Sequence, residues 1–408
     1  MKKYLIIGGG VASIGCIEGI RSVDKKGSIT LVSGEGRLTY CRPLISYYLE
    51  KKTDFEKMKY RPEEFYSDMG CNIVFDKAEK INAEEKTIKC GNRSINYDSL
   101  LVATGSVPFV PPFSGLENVE KKFSFMTEDD ALNIEKELSP DKKVLIVGAG
   151  LIGLKCAEGI AERVKKITVC DLATRVLSSI LDDTCAAYMQ SKLEGAGIEF
   201  MLGDTAVSFD KNSAAMKSGK TVDFDILILA VGVKANVSLL KDIGATVDRG
   251  VIVDTEMKTS VKDIYAAGDC AQGYDSSINS NRVLAILPNA YMQGFTAGVN
   301  MAGGKKVFDN AIPMNAIGFF GYHALTAGAY TGECYEEKTE SGIKRLFVDD
   351  GRLVGFMLIG DVSRAGIYTS LIRERTPLAK INLDIMKNSP KLAMFDTENR
   401  EKKLGGVV

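Results

Sequence analysis

The chain has 408 residues, which is long for one ordinary domain, so two or three domains are expected. Hydrophobic residues make up 45% and charged residues 26%, a balance typical of globular proteins. The 52 basic and 53 acidic side chains nearly cancel, which excludes a global charge that favours nucleic acid or an anionic membrane. No window approaches the roughly 18 continuous apolar residues of a membrane span, so a cytoplasmic protein is expected.

Two segments near the start and the middle of the chain share one pattern. Residues 2–10 (KKYLIIGGG) recur as residues 142–150 (KKVLIVGAG). Each copy predicts a strand, a glycine turn and a helix, and a further strand follows at residues 29–32 and 167–170. This is a β-α-β unit twice, the building block of a doubly wound parallel sheet.

The glycine turns are typical of dinucleotide-binding sites. Glycine lets backbone N–H groups approach a pyrophosphate, and the N-terminus of the following helix favours its negative charge. The second turn fits G-x-G-x-x-G in full, whereas the first has serine at the third position; simple tight turns are the alternative. The predicted pyrophosphate contacts are Gly8, Gly10, Val11, Ala12 and Ser13 in the first copy, and Gly148, Gly150, Leu151, Ile152 and Gly153 in the second.

The acid after the second strand of each copy predicts which nucleotide is bound. Asp171 is placed to accept a hydrogen bond from a ribose 2′-hydroxyl and to repel a 2′-phosphate, which favours NAD over NADP. Arg175 lies close by in sequence and would suit a phosphate instead. In the first copy Ser33 takes the equivalent position and Glu35 is the nearest acid, so Glu35 is expected to bind the ribose there.

Further strands and a different C-terminal region complete the chain. Apolar runs ending in small residues occur at 100–105, 227–232 and 264–269. Residues 346–359 predict an antiparallel hairpin around Asp349 to Arg352, and residues 365–375 predict a helix that ends before Pro377. The last hundred residues therefore predict an α+β domain.

The nine cysteines are scattered along the chain. None lies within five residues of another, so the sequence offers no C-x-x-C for a cluster, zinc or a dithiol, and no metal site is predicted. An odd number of dispersed cysteines suits a reducing compartment.

The order of the motifs resembles the FAD/NAD-linked reductases of the pyridine-nucleotide disulfide oxidoreductase superfamily. The motifs are Gly8-x-Gly10, Ala103-Thr104-Gly105-Ser106-x-Pro108, the second glycine turn, Ala230-Val231-Gly232 and Ala266-Ala267-Gly268-Asp269. The expected fold is α/β, with two doubly wound Rossmann-like dinucleotide-binding domains, one inserted in the other, plus a C-terminal α+β domain. Residues 1–115 and 245–308 are expected to bind FAD, residues 116–244 to bind NAD, and residues 309–408 to form an interface domain.

The resemblance implies further cofactor contacts. Asp269 would bind the ribityl chain of the flavin, and residues 287–290 would lie under the isoalloxazine. The implied FAD contacts are Ser33, Glu35, Arg42, Pro43, Ala78, Ala103, Thr104, Gly105, Gly268, Asp269, Asn289 and Ala290, and the further NAD contacts are Val231 and Gly232.

Residues 38–46 (LTYCRPLIS) are similar to the rubredoxin reductases and to the flavin module of assimilatory nitrite reductases. They lack the C-x-x-x-x-C of the dithiol reductases, so a disulfide substrate reduced through a dithiol is not expected. The NADH oxidase and coenzyme-A-disulfide reductase branch uses one redox cysteine in this segment. Cys41 is therefore an alternative redox group, whose thiol pKa Arg42 would lower, or a bystander near the flavin.

Two positions depart from the ferredoxin-reductase pattern together. Those relatives carry Lys in the segment and Glu after the second glycine turn, and the resemblance implies that the two form an ion pair beside the flavin. Here the positions are Tyr47 and Lys155. Lys155 is expected either near flavin N5, where it would favour the anionic reduced flavin, or extended into solvent. His323 is the single histidine, and a structural role is expected because hydride transfer needs no such base.

These features predict an FAD-dependent NAD(H) oxidoreductase that acts by hydride transfer to flavin N5. The resemblance implies a one-electron protein partner (rubredoxin, ferredoxin or an iron–sulfur subunit), in either direction of electron flow. One alternative is an oxidase or coenzyme-A-disulfide reductase that uses Cys41. Another is a flavin subunit of a larger redox complex, and a homodimer through the C-terminal domain is also consistent with the resemblance.

Overall fold

Residues 1–404 are described by a computed structural model. Their contacts divide the chain into two units. The first comprises Met1–Ser178, Glu194–Tyr274 and Asn281–Asp309; the second comprises Ser179–Leu193, Asp275–Ser280 and the residues from Asn310 onward. Both predicted nucleotide-binding regions lie almost entirely in the first unit. Within the described residues, no helix is long and apolar enough to cross a membrane.

The first 115 residues begin with the strand, glycine turn and helix that the sequence predicts. The strand at the N-terminus is buried from Tyr4 to Ile7 because its apolar side chains face protein on both sides of the sheet. The strands are β1 Lys3–Ile7, β2 Ser28–Val32, β3 Cys71–Val74, β4 Ala78–Asn82, β5 Thr87–Cys90, β6 Arg93–Asn96, β7 Ser99–Val102 and β8 Ser106–Pro108. The helices are α1 Val11–Val23, α2 Ile45–Leu49, α3 Phe55–Met58 and α4 Glu64–Asp68.

The next segment repeats this organisation. Its first helix begins with a capping box, in which Thr127 and Asp130 each accept a hydrogen bond from the other's backbone N–H. The strands are β9 Lys122–Phe123, β10 Lys143–Val147, β11 Lys166–Asp171, β12 Ile198–Leu202, β13 Ala206–Asp210, β14 Ser213–Met216, β15 Thr221–Asp223, β16 Ile226–Leu229 and β17 Val233–Ala235. The helices are α5 Glu128–Glu137, α6 Leu151–Ile160, α7 Asp183–Gly195 and α8 Ser238–Lys241.

The chain then returns to the first sheet. The strands of this part are β18 Val251–Ile252, β19 Ile264–Ala266, β20 Ala271–Asp275 and β21 Ser280–Arg282, and α9 Leu287–Met301 follows them. Helix α9 packs on α1 with its backbone in close approach, since a Cβ on Gly294 would lie 1.9 Å from the Ala12 carbonyl oxygen.

Two parallel sheets confirm the doubly wound fold. The first has the order β19-β7-β1-β2-β3 and the second the order β12-β11-β10-β16-β9. In each, the strand before a glycine turn lies between two parallel neighbours, so the turn emerges at the carboxyl edge of the sheet. Ligands of open α/β sheets bind at this edge. Strands β8 and β17, where the chain passes between the two sheets, pair antiparallel.

The C-terminal part of the second unit is an antiparallel sheet with helices. Its strands are β22 Met314–Phe319, β23 Tyr322–Gly328, β24 Glu333–Thr339, β25 Gly342–Asp349 and β26 Arg352–Ile359, in the order β22-β23-β26-β25-β24. The helices are α10 Ala365–Arg373, α11 Leu383–Asn388 and α12 Thr397–Leu404. The predicted hairpin is β25–β26, and the predicted helix ends at Arg373. Phe356 and Tyr368 pack together in the apolar core of this sheet and α10.

Candidate active site

The first glycine turn has the geometry of a pyrophosphate cradle. Gly8 has φ +116°, and a Cβ there would lie 2.1 Å from the Ala103 carbonyl oxygen, so only glycine fits. Gly10 is the N-cap of α1 without a side-chain cap, and a Cβ on it would meet nothing within 4 Å. No side chain caps this helix end, which leaves room for an anion, although the Ser13 N–H already donates to the Gly10 carbonyl at 3.0 Å. Ser13 donates its hydroxyl to the Gly8 carbonyl, which explains how serine replaces the third glycine.

The second glycine turn repeats this geometry on α6. Gly148 has φ +119°, and a Cβ there would lie 2.2 Å from the Ala230 carbonyl oxygen. Gly150 is the N-cap, again without a side-chain cap and with open space around it. Gly153 has a true glycine requirement, because a Cβ would lie 2.0 Å from the Gly148 carbonyl oxygen. Two turns of equivalent geometry thus lie at the two sheet edges, and pyrophosphate binding there stays a prediction.

Asp171 ends β11 beside the second turn. Its carboxylate accepts hydrogen bonds from the backbone N–H of Ala149 at 2.7 Å and of Ala173 at 2.8 Å. The glycine turn itself therefore orients the acid that is predicted to bind the ribose. Arg175 directs a guanidinium nitrogen to the Ser178 carbonyl oxygen at 3.4 Å.

Glu35 and Arg42 form an ion pair beside the first turn. The Tyr40 hydroxyl also donates to Glu35 at 3.0 Å. Burial lowers the pKa of Arg42, but the neighbouring Tyr40, Glu35 and Asp269 outweigh it and raise that pKa overall. Two acids therefore act on Arg42: Glu35, which follows β2, and Asp269, which follows β19. A cation between these two acids is placed to pair with the central pyrophosphate of an extended dinucleotide.

Asp269 follows β19 and faces the same site. It accepts a hydrogen bond from the Ser106 hydroxyl at 2.9 Å. Burial raises the pKa of Asp269, against the lowering effects of Ser106 and Arg42. Next to it, the Gly268 backbone N–H donates to the Gln293 side chain of α9 at 2.8 Å.

The residues present fit FAD. The uncapped N-terminus of α1 suits the pyrophosphate, Glu35 and Asp269 supply acceptors for ribose and ribityl hydroxyls, and Arg42 supplies the cation between them. In addition, the Thr39 hydroxyl, two residues before Cys41, is buried without a hydrogen-bond partner among the described residues, as expected of a group that faces a polar ligand.

Cys41 lies in residues 38–46, hereafter the flavin segment, and its surroundings raise the thiol pKa. Burial raises the pKa of Cys41, although the backbone N–H of Leu44 lowers it in part. The expectation that Arg42 would lower this pKa is wrong, because the guanidinium of Arg42 contacts Glu35, the Tyr40 hydroxyl and the Met126 carbonyl instead.

Lys155 and Tyr47 are in contact. The Lys155 ammonium lies 4.7 Å from the centroid of the Tyr47 ring and forms an ion pair with Glu158, one helical turn along α6. Only 17% of the Lys155 side chain is exposed, so the alternative of a lysine extended into solvent is wrong. The position relative to flavin N5 stays a prediction.

The other predicted residues have plain positions. Ser33 is buried and donates to the Arg37 carbonyl at 3.0 Å, and Ala78 is buried at the start of β4. His323 is exposed on β23 of the second unit. No cluster of three or more potential metal ligands occurs among the residues described. The remaining positions are Pro43 in the turn Arg42–Leu44, Thr104 and Gly105 after β7, Asn289 and Ala290 on α9, and Val231 and Gly232 between β16 and β17.

A family model described as "Pyridine nucleotide-disulphide oxidoreductase" matches residues 2–294. The chain belongs to this family. It is an NAD(H)-dependent flavoprotein oxidoreductase whose cofactors are FAD and NAD(H).

Two curated relatives are similar over most of their length. The NADH-dependent phenylglyoxylate dehydrogenase subunit epsilon of Aromatoleum evansii is 30% identical over 401 residues, which cover 95% of each chain. The NADH oxidase of Methanocaldococcus jannaschii is 30% identical over 396 residues, which cover 88% of this chain and 87% of that one. The fold also matches the covalent putidaredoxin reductase–putidaredoxin complex, with a TM-score of 0.87 and 21% identity over 100% of this chain and 98% of that one.

Sequence reasoning missed three contacts in the site. Ser106 belongs to the motif at residues 103–108, yet its hydrogen bond to Asp269 gives no local signal, because the two lie 163 positions apart. The sequence also gave no signal for the hydrogen bond from the Tyr40 hydroxyl to Glu35. Glu158 had a signal, since a position three residues after Lys155 on a helix is within ion-pair reach.

Proposed function

We propose that this chain passes electrons between NAD(H) and a one-electron redox protein such as rubredoxin, ferredoxin or an iron–sulfur subunit. The observation that carries the proposal is the state of Cys41. Its partial burial and raised pKa disfavour a thiolate relay, so electrons are expected to leave the flavin directly for a partner.

The chain's own residues bind and orient the two cofactors. Bound FAD would supply a group that accepts two electrons from NADH and releases them singly. Gly10 and Gly150 open the two helix ends to the pyrophosphates, Asp171 receives the NAD ribose, and Arg42 neutralises the FAD pyrophosphate.

Lys155 is the proposed catalytic residue. The contact with Tyr47 connects Lys155 to α2, which begins within the flavin segment, and the ion pair with Glu158 holds its ammonium on α6. An ammonium placed here would stabilise negative charge on the reduced flavin.

An NADH oxidase or coenzyme-A-disulfide reductase is the second candidate. The M. jannaschii relative carries the name NADH oxidase, and Cys41 lies within the flavin segment. A Cys41→Ser variant that keeps all acceptor activity would remove this candidate.

Permanent membership of a larger complex is the third candidate, supported by the name of the A. evansii relative, a dehydrogenase subunit. In that case the acceptor or donor would be a cluster of a neighbouring subunit.

We place the protein in the cytoplasm because all nine cysteines, which fall within the described range, are unpaired thiols.

Anaerobic titration of the holoenzyme with NADH tests the proposal by counting the electrons taken up per FAD. Two electrons are expected, because the flavin alone stores them. Four electrons would reveal a second centre and overturn the proposed route; loss of the additional two in Cys41→Ser would then assign that centre to a mixed disulfide of Cys41 with a small thiol, whose S–S bond two electrons cleave to two thiols.

A further inference from the structure

Helix α2 belongs to the flavin half of the chain but packs on a helix of the nicotinamide half. It follows the Arg42–Leu44 turn directly. A Cβ on Gly159 of α6 would lie 3.0 Å from the Ser46 carbonyl oxygen and 3.2 Å from the Leu49 Cβ. Because Gly159 has no side chain, the α6 backbone lies close to the Ser46 backbone and to the Leu49 side chain at this point.

A carboxylate from a third helix contacts the C-terminal ends of both α2 and α6. Glu135 of α5 accepts from the Tyr48 hydroxyl and from the Lys51 ammonium. The Arg163 guanidinium, in the short turn Ala161–Arg163 that continues α6, lies 3.4 Å from the same carboxylate. The same Arg163 nitrogen donates to the Leu49 carbonyl at 3.0 Å.

The Glu135 and Arg163 side chains are partly withdrawn from water, whereas the Lys51 side chain is 60% exposed. The Glu135 side chain is 18% exposed and that of Arg163 is 26% exposed. The Glu135 carboxylate receives three donors, from the α2 and α6 parts of the chain. At this exposure fewer waters compete for it than for a surface ion pair, and the three donors together fix its position.

Helix α5 also holds the start of the flavin segment. Arg37 forms ion pairs with Glu128 at 3.1 Å and Asp129 at 2.7 Å. The Glu128 backbone N–H donates to the Tyr40 hydroxyl at 3.1 Å. The segment from Arg37 to Lys51 is thus bound to α5 at both ends, and Glu135 provides the end nearest to α6.

We propose that Glu135 is a positioning residue for hydride transfer: it holds α2, and with it the flavin segment, in a set place against α6. The N-terminus of α6 is the second glycine turn, so the place of α6 also sets the place of the nicotinamide nucleotide. Hydride transfer requires the reacting atoms at roughly 3–3.5 Å, and a displacement of 1 Å can cost on the order of 100-fold in rate. The inference rests on the NAD(H)–flavin half of the proposed function and not on the identity of the acceptor.

The test compares Glu135→Gln with Glu137→Gln. Both changes remove one charge from α5 at constant size, but Glu137 forms its ion pair with Lys121 at 2.5 Å, and Lys121 lies in neither α2 nor α6. The first measurement is hydrogen exchange of the α2 amides in the apoprotein. The second is anaerobic stopped-flow reduction of the FAD-loaded protein by NADH, which separates the limiting rate constant from the Kd for NADH.

In Glu135→Gln we expect faster exchange in α2 and a limiting rate constant lowered about tenfold, with the Kd for NADH within about twofold of the parent value. Glu137→Gln should change neither quantity. Should Glu135→Gln fail to fold, Tyr48→Phe removes one donor and retains the ring that stacks on Phe55 at 4.1 Å; it should shift both readouts in the same direction.

An unchanged limiting rate constant in Glu135→Gln, or in Tyr48→Phe where that variant must replace it, would overturn the proposal. So would an equal loss in Glu137→Gln, which would indicate a general loss of stability. Because no acceptor is present in this half-reaction, failure of the proposed electron partner would leave the result readable.

Discussion

At the scale of single residues, charge in the flavin site is arranged as a chain of opposite partners. Arg42 forms an ion pair with Glu35 on one side. On the other side, the charge of Asp269 helps to raise the pKa of Arg42, and the Ser106 hydroxyl donates to Asp269. The arrangement keeps two acids and one cation close enough to serve a single elongated ligand.

Replacement of Asp269 by Asn should have opposite effects on the apoprotein and the holoprotein. The folded-state pKa of Asp269 is raised by burial, so between the unfolded value near 3.9 and that raised value the native state binds more protons. The stability contribution of Asp269 is therefore present at low pH and lost as pH rises through the folded pKa. Asp269→Asn should stabilise the apoprotein at neutral pH, and this advantage should shrink as pH falls.

The measurement is denaturant unfolding of both apoproteins across this pH range, together with the Kd for FAD at neutral pH. FAD affinity should weaken because the variant loses the charged acceptor proposed for the ribityl chain. A stability difference that does not depend on pH would contradict the burial argument.

At the scale of elements, the contact of α2 with α6 depends on the missing side chain at Gly159. Gly159→Ala would place a Cβ 3.0 Å from the Ser46 carbonyl oxygen. Overpacking of this kind costs about 1–3 kcal/mol, and the better helix propensity of alanine returns up to about 1 kcal/mol. We expect a net loss of about 1 kcal/mol in the free energy of unfolding.

Gly195→Ala is the matched control. Gly195 is also helical, at the end of α7, and a Cβ on it would meet nothing within 4 Å. Urea unfolding followed by circular dichroism should show no loss of stability in this variant. If Gly159→Ala and the parent protein have the same free energy of unfolding, then α2 can move away from α6 without loss of stability, which contradicts the prediction.

At the scale of the whole molecule, the proposed FAD site is assembled from distant parts of one unit. Up to 282 positions separate the ends of residues 8–13, 39–46 and 268–290. These segments follow β1, β2 and β19, which belong to one parallel sheet. FAD should therefore bind and protect all three segments together.

Reconstitution of the apoprotein with FAD should slow hydrogen exchange in the three segments at the same FAD concentration. A ligand at 100 times its Kd adds about 2.7 kcal/mol to the stability of the state that binds it. Protection that appeared in one segment well before the others would contradict a single composite site. The exposed strand β24, far along the chain in the second unit, provides an internal reference.

Sequence periodicity, the two glycine turns and the order of motifs were sufficient to predict the two parallel sheets and the positions of both glycine turns at their edges. These features are local: a strand, a turn with positive φ and a helix occupy about 20 consecutive residues, and the sterics of Gly8 and Gly148 act between immediate neighbours in the sheet.

Only the tertiary structure decided what surrounds the predicted residues. That Arg42 turns to Glu35 rather than to Cys41, that the Asp171 carboxylate is held by the Ala149 and Ala173 backbone, and that Lys155 contacts Tyr47 all depend on how separate elements pack. Side-chain direction and burial set pKa values and ion-pair partners, and neither follows from spacing along the chain. The sequence by itself therefore determined the fold and the cofactors, and packing decided the electrostatics of the site.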